Sequence, residues 1–386
     1  MLTMAVGHSD DIDPLDAIAT AIEQCRATLG DRRAQAGLLI TAFRSFDPAI
    51  LAAVRTAFPG VHVVGSTSAA ELSSVEGFLE DSITLALFAS DTADVTVGLG
   101  TGSGTDVDGA CRAAALEALA ATDKPPRLAV VLAEPFAADP QRTTEAITRA
   151  LPEGVVVVGG GSARGDLGTT VPTYQFCDDR VVDDGVAILL FSGQIALSVA
   201  VGTGWKTLGA RGTVTAARGG LLDRIDDRPA SEFLKPYLDV TGPPAFGNPL
   251  AVVEAGAERS YLRAIVGSDP ATGTIRVHGG VPVGSTVQLT TAGTDEILAG
   301  TRDAVARARA DFPAGSSPEA ALVFSCMVRK YVLGTRTKVE AEMARAEFGP
   351  AVPLAGLYCT GEIGPVTDGG PSRFLNETFV TVLLGT

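Results

Sequence analysis

Three acidic residues, Glu71, Asp166 and Glu362, hold the same place in three copies of one short pattern. The copies are Gly65-Ser66-Thr67-Ser68-Ala69-Ala70-Glu71-Leu72, Gly160-Gly161-Ser162-Ala163-Arg164-Gly165-Asp166-Leu167 and Gly356-Leu357-Tyr358-Cys359-Thr360-Gly361-Glu362-Ile363. Each reads glycine, four residues, a small residue, an acid, then Leu or Ile. Carboxylates placed in this way can hold a ligand amine or move a proton. They can also cap the backbone N–H groups of their own loops, and repetition favours that structural role. Gly65, Ser66, Thr67 and Ser68, like Gly159, Gly160, Gly161 and Ser162, leave space and offer N–H and hydroxyl donors. Such a loop suits a small polar ligand, a carboxylate above all. Tight packing between units is the competing reading. Arg164 in the second copy and Tyr358 and Thr360 in the third complete the set of candidate contacts from these loops.

A second group lies near the third copy. Cys326 precedes Arg329, Lys330 and Tyr331 at the end of an apolar run. Two cations beside a thiol would lower its pKa and favour the thiolate, whereas a small buried thiol would be inert. Arg329 and Lys330 would pair with an anionic ligand or sit on a solvated surface. The three histidines, His8, His62 and His278, are scattered. His8 reads as part of an N-terminal tail, and the other two as strand or strand-end residues. No spacing proposes a metal site. Gly98-Leu99-Gly100-Thr101-Gly102-Ser103-Gly104 misses the dinucleotide pattern G-x-G-x-x-G in every register and reads as a flexible connector. Neither a Walker A loop nor a G-x-S-x-G elbow is present. No catalytic residue, metal or cofactor is therefore expected.

Composition narrows the partners. The chain has 386 residues, of which 46% are hydrophobic and 19% charged, as in a globular α/β protein of two or three domains. A formal charge of −15, without a basic stripe, argues against nucleic acid. No apolar stretch reaches the length of a membrane helix, and the N-terminus lacks a signal-peptide pattern. Five scattered cysteines without a CxxC pair point to a reducing cytoplasm.

The elements that must position these residues follow from periodicity. Each copy of the pattern follows an apolar run that reads as a strand: Val61 to Val64, Val155 to Gly159, and Val352 to Ala355. Asp13-Pro14, Asp47-Pro48 and Asp139-Pro140 read as helix N-caps followed by Pro at the first helical position. The expected fold is α/β, with mixed β-sheets flanked by helices. It is built from three related helix-strand-helix-strand-loop-strand units plus an antiparallel meander over Leu250–Leu289. Trp205 to about Pro229 reads as a transition rich in Gly and Arg, and Thr241-Gly242-Pro243-Pro244 as a turn.

Several stretches together resemble the FIST proteins, a family of signal-transduction sensors. They are Val64-Gly65-Ser66-Thr67-Ser68-Ala69-Ala70-Glu71, Val158-Gly159-Gly160-Gly161-Ser162-Ala163, Phe324-Ser325-Cys326-Met327-Val328-Arg329-Lys330, Gly356 to Pro365, and Phe374-Leu375-Asn376-Glu377-Thr378-Phe379. The resemblance runs from about Gln35 to the C-terminus. It implies a segment 1–34 with the first helix, a FIST N-type domain over 35–228 and a FIST C-type domain over 229–386. It also implies a non-enzymatic, cytoplasmic, bacterial sensory module that binds a small ligand, with amino acids the usual proposal. With no output domain fused to it, such a module would signal through a separate protein. Some members are haem-based gas sensors, but none of the three histidines matches a haem ligand. An enzyme using Cys326 or the loop acids is the other alternative.

Overall fold

A computed structural model describes residues 1–165, 172–238, 246–367 and 369–386. The first stretch runs β1 (Leu2–Ser9), α1 (Pro14–Leu29), β2 (Ala36–Ala42), α2 (Ala49–Ala57), β3 (His62–Ser68), β4 (Ala70–Ser73), β5 (Gly77–Leu79), β6 (Ile83–Ser90) and β7 (Ala93–Thr101). The second runs α3 (Val107–Ala120), β8 (Pro126–Ala133), α4 (Pro140–Ala150), β9 (Val156–Gly161), β10 (Gln175–Cys177), β11 (Arg180–Val182), β12 (Gly185–Gly193) and β13 (Ala196–Gly202). An antiparallel portion follows: β14 (Lys206–Arg218), β15 (Leu221–Ile225), β16 (Arg228–Pro229), α5 (Ala230–Leu234), β17 (Leu250–Val253), β18 (Tyr261–Arg263), β19 (Ile265–Asp269), β20 (Thr274–Val277) and β21 (Thr286–Thr291). The last stretch is α6 (Thr294–Ala310), β22 (Ala320–Cys326), α7 (Met327–Leu333), α8 (Lys338–Phe348), β23 (Leu354–Cys359), β24 (Glu362–Pro365), β25 (Ser372–Leu375) and β26 (Phe379–Gly385).

These elements make a mixed α/β protein. Three six-stranded sheets are each centred on one parallel pair: β2 with β3, β8 with β9, and β22 with β23. Beside each pair lies an antiparallel strand, β6, β12 or β26. On the other side each sheet receives a hairpin from a different stretch of chain. The hairpin β10–β11 pairs with β3, β24–β25 with β9, and β4–β5 with β23. Each stretch thus gives its hairpin to the next sheet, and the exchange closes on itself. The sequence patterns lie at these crossings.

Why glycine begins each pattern follows from register. Gly65, Gly159 and Gly356 stand opposite Leu39, Val131 and Val323 in the three parallel pairs. A Cβ on them would fall 1.8, 1.9 and 2.4 Å from the carbonyl oxygen of that same partner. The middle glycine of the set is therefore Gly159, one residue before the position at which sequence matching starts the second copy. Gly65→Ala forces β3 away from β2 and is expected to cost about 1–3 kcal/mol in urea unfolding. An unchanged midpoint would show that the strands tolerate the methyl group.

The inner faces of all three sheets and of the eight-stranded antiparallel sheet share one apolar core, with Leu38, Val130, Phe324 and Val252 among its members. Helices cover the outer faces. α1 and α2 pack on the first sheet, α3 and α4 on the second, and α6 and α8 on the third. The N-cap readings at Asp13 and Asp139 hold, because their carboxylates accept from Leu15 N and Gln141 N.

Three expectations are corrected. Residues 2–9 are a strand, β1, paired along its length with β6, and His8 is buried there. The Gly- and Arg-rich stretch from Trp205 to Pro229 holds strands β14, β15 and β16, the first of which bridges β21 and β15. Gly98 and Gly100 belong to β7, where a Cβ would fall 2.1 and 1.8 Å from the carbonyls of Ala114 and Ala110 in α3. Close strand–helix approach, rather than a flexible connection, explains those glycines. The turn at Thr241–Pro244 lies outside the described residues.

Candidate functional site

Ser66, Thr67 and Ser68 are fully buried within β3, between β2 and β10, so their backbone groups serve the sheet. Ser66 Oγ has no hydrogen-bond partner among the described residues. Thr67 Oγ1 accepts from Tyr174 N at 3.1 Å. Ser162 Oγ accepts from Gln175 Nε2 at 2.9 Å and donates to the Ala133 carbonyl at 3.3 Å. A Cβ on Gly160 would meet Cys359 Sγ at 2.5 Å, and one on Gly161 the Thr360 carbonyl at 2.5 Å. The space beside these glycines is thus filled by β24 and its approach, not left open.

The two described loop acids are anchored alike. Glu71 accepts from Ser82 N at 3.2 Å, from Ser82 Oγ at 2.6 Å and from Ser68 Oγ. Glu362 accepts from Thr378 N at 3.0 Å and Thr378 Oγ1 at 2.7 Å. Each carboxylate pins the strand that leaves its hairpin. Full burial raises Glu71 to about 7 and Glu362 to about 8. Asp166 lies outside the described residues.

Arg329 is neither on a surface patch nor open to an anion, contrary to both sequence readings. It is fully buried, and its Nη2 and Nε lie 2.6 and 3.0 Å from Glu340 Oε1. Nη1 donates to the Thr203 carbonyl at 2.6 Å, and Nη2 to the Ile297 carbonyl at 3.1 Å and to Thr301 Oγ1 at 2.7 Å. The Tyr358 hydroxyl donates to Glu340 Oε2 at 2.7 Å, so it too is structural. Lys330 Nζ donates to the Ala69 carbonyl at 3.0 Å and pairs with Glu80 at 2.7 Å. With both cations engaged elsewhere, they do not activate Cys326. Burial and the negative charges of Glu362 and Glu377 push its thiol well above the usual range.

The ends of several elements meet around a cavity of about 800 Å³. The loop between β8 and α4 contributes Glu134, Phe136 and Asp139, and the exit of β9 contributes Arg164. Val266, Arg276 and His278 come from the antiparallel portion. Cys326 ends β22, Met327 opens α7, Thr360 follows β23, and Asn376 follows β25. Of the candidates read from sequence, the cavity wall gathers Arg164, Cys326 and Thr360. Gly65, Ser66, Thr67, Ser68, Glu71, Gly160, Gly161, Ser162, Arg329, Lys330, Tyr358 and Glu362 are not in it.

His278 is the lining residue that sequence reasoning undervalued. Its Nε2 lies 3.0 Å from the Pro135 carbonyl, which can only accept, so this nitrogen carries the proton. Nδ1 then accepts from Asn376 Nδ2 at 3.4 Å. The ring stacks on Phe136 and meets Phe374 edge-on, and burial lowers its pKa to about 4. It joins the second stretch, the antiparallel portion and the C-terminal stretch. Only its long-range contacts mark it, and nothing near it in sequence announces them. Asn376 had a local signal, lying inside Phe374–Phe379.

Comparison with known proteins gives the class. Residues 35–228 match the FIST N domain and residues 230–365 the FIST C domain. The chain belongs to the FIST family, whose domains are recognised as sensor domains of signal transduction. The uncharacterized protein MT0656 of Mycobacterium tuberculosis is 30% identical over 256 residues, 62% of this chain and 63% of its own length. Mb0898c of Mycobacterium bovis, also uncharacterized, is 30% identical over 224 residues, 54% of this chain and 55% of its own length. The matches thus span less than two thirds of these relatives. A crystal structure of cyanuric acid hydrolase from A. caulinodans aligns over 99% of both chains at 11% identity, with a TM-score of 0.33, too loose to carry an argument. Among the described residues no helix is long and apolar enough to cross a membrane.

Proposed function

We propose that this protein is a cytoplasmic bacterial sensory module that binds a small polar ligand, with an amino acid the leading candidate, and signals through a separate partner protein. The binding site in this reading is the cavity of about 800 Å³. Its position carries the proposal. The wall draws on both proposed domains, 35–228 and 229–386, so a ligand there would bias how they pack. Its size falls in the range of small-molecule sites. Both signs of charge line it, with Glu134 and Asp139 against Arg164 and Arg276. That mixture suits a zwitterion.

The test is a thermal-shift screen of the twenty amino acids and common small carboxylates at millimolar concentration. A ligand at about 100 times its dissociation constant stabilises the native state by about 2.7 kcal/mol. Val266→Trp, which places a large ring in the cavity, is expected to weaken the hit at least about tenfold, a difference of about 1.4 kcal/mol. Undiminished affinity in that variant places the ligand elsewhere. No shift with any compound removes the amino-acid proposal.

One observation favours an enzyme instead, since Cys326 lies in the same wall. Its raised pKa leaves little thiolate at neutral pH, which weighs against a resting nucleophile. Turnover of a cavity ligand that vanishes in Cys326→Ala would reverse that judgement.

A further inference from the structure

Cys326 and Cys359 are direct partners in the parallel pair of β22 and β23. Neighbouring strands lie ~4.8 Å apart, and partners in register place their side chains on one face of the sheet. The burial pattern agrees. Leu322 and Phe324 on β22, and Ala355 and Leu357 on β23, share the parity of the two cysteines and face the common core. That spacing falls within the Cα separation of about 4.4–6.8 Å that a disulfide bridges. The thiols also converge on one carboxylate. Cys359 Sγ is 3.6 Å from Glu362 Oε1, and the Cys326 thiol is close enough to favour the charged form of Glu362. Cys326 forms part of the cavity wall, while Cys359 lies behind it against Gly160.

We propose that Cys326 and Cys359 form a peroxide-oxidisable dithiol, with the cavity as the oxidant's path, Cys326 as the thiol that attacks peroxide and Cys359 as the resolving one. The Cys326 thiolate attacks one oxygen of hydrogen peroxide. The O–O bond breaks, leaving Cys326 as sulfenic acid, and the departing hydroxide takes up a proton to become water. The Cys359 sulfur then attacks the sulfenic sulfur. The S–S bond forms, the S–O bond breaks, and the hydroxide leaves with the Cys359 proton as a second water. Once ionised, above a pH of about 8, Glu362 is the nearest base for that proton. In total two thiols lose two electrons and one peroxide becomes two waters. Of the other cysteines, Cys25 and Cys111 lie in α1 and α3, and Cys177 on β10 stands opposite Val64 and Arg180, so among the described residues none has a cysteine partner in register.

The proposal predicts slow oxidation that accelerates as pH rises, because both thiols sit above the usual range. The experiment treats the full-length wild-type protein with hydrogen peroxide, blocks remaining thiols and maps tryptic peptides without reductant. The expected product is one intrachain link between the peptides holding Cys326 and Cys359, reversed by dithiothreitol. Phenylarsine oxide, which bridges paired thiols, should add one equivalent per chain by intact mass and none after Cys326→Ser or Cys359→Ser. Cys359→Ser should stop the oxidation of Cys326 at sulfenic or sulfinic acid. Two free thiols after peroxide has oxidised the methionines would overturn the proposal. A link to any other cysteine, or between chains, would do the same. The wild-type map stands even where a variant fails to fold.

Discussion

Arg329→Ala is expected to destabilise the protein by about 3–5 kcal/mol. The substitution removes one half of a fully buried ion pair and strands Glu340 between α8 and the third sheet. Tyr358, Ser325 and Thr301 still donate to that carboxylate, at 2.7, 3.1 and 2.7 Å. Three hydroxyl bonds do not replace a guanidinium, because an uncompensated charge in a low-dielectric interior keeps most of its desolvation cost. The loss spreads further. Arg329 also fastens the carbonyls of Thr203, Ile297 and Glu377, which come from three separate parts of the chain. Its guanidinium lies over the rings of Trp205 and Phe379 as well, so packing is lost with the charge. Glu340→Gln should cost less, since the amide oxygen still accepts on one side, hydroxyls on the other can turn to accept from the NH2, and the arginine keeps its carbonyl partners. Urea unfolding monitored by circular dichroism checks both, and a loss under about 1 kcal/mol for Arg329→Ala would contradict the buried network.

Stability is expected to fall as pH rises from about 6.5 to 8.5. Glu71 titrates near 7, and Glu362 and Glu377 near 8, all raised by burial from an ordinary 4.5. Such groups hold their protons in the folded state when the unfolded chain has already lost them. Their contribution is fully present below about 4.5 and is lost as pH climbs through the folded values. His8 and His278 act in the opposite direction, with folded values near 4 against 6.5. Their contribution is present above 6.5 and is lost as pH falls towards 4, so they leave the neutral-to-alkaline window to the carboxylates. Each carboxylate that is protonated only when folded adds about 1.4 kcal/mol of slope per pH unit.

Glu377 is the carboxylate at which that slope is best tested. Neither of its oxygens has a hydrogen bond of normal geometry among the described residues, although the Gly247 amide lies close enough to favour the charged form. Glu71 and Glu362, by contrast, each accept an N–H and a hydroxyl. Glu377→Gln is therefore expected to stabilise the protein at pH 8.5 by on the order of 2 kcal/mol and to be nearly neutral at pH 5. Melting curves across this range decide the matter. A profile that stays flat from pH 6.5 to 8.5, or an equal effect of Glu377→Gln at both ends, would contradict it.

What the sequence alone determined was local. Cap pairs such as Asp13-Pro14 and Asp139-Pro140 act through neighbouring N–H groups, so they read correctly without the fold. Valine runs such as Val155 to Val158 mark strands for the same reason, and the spacing of apolar residues placed the helices that cover each sheet. The shared motifs likewise named the FIST family before any geometry was known. The tertiary structure decided what those motifs do. Small residues at the first two copies of the pattern looked like an open binding loop, but the hairpins that cross between sheets turn them into buried strand. Arg329 and Cys326 are three residues apart, yet α7 carries the guanidinium to Glu340 and leaves the thiol facing the cavity among carboxylates. His278 gained its importance from Pro135 and Asn376, 143 and 98 residues away. Charge, burial and cavity walls depend on which distant segments meet, and a linear pattern records only what lies within a few residues of itself.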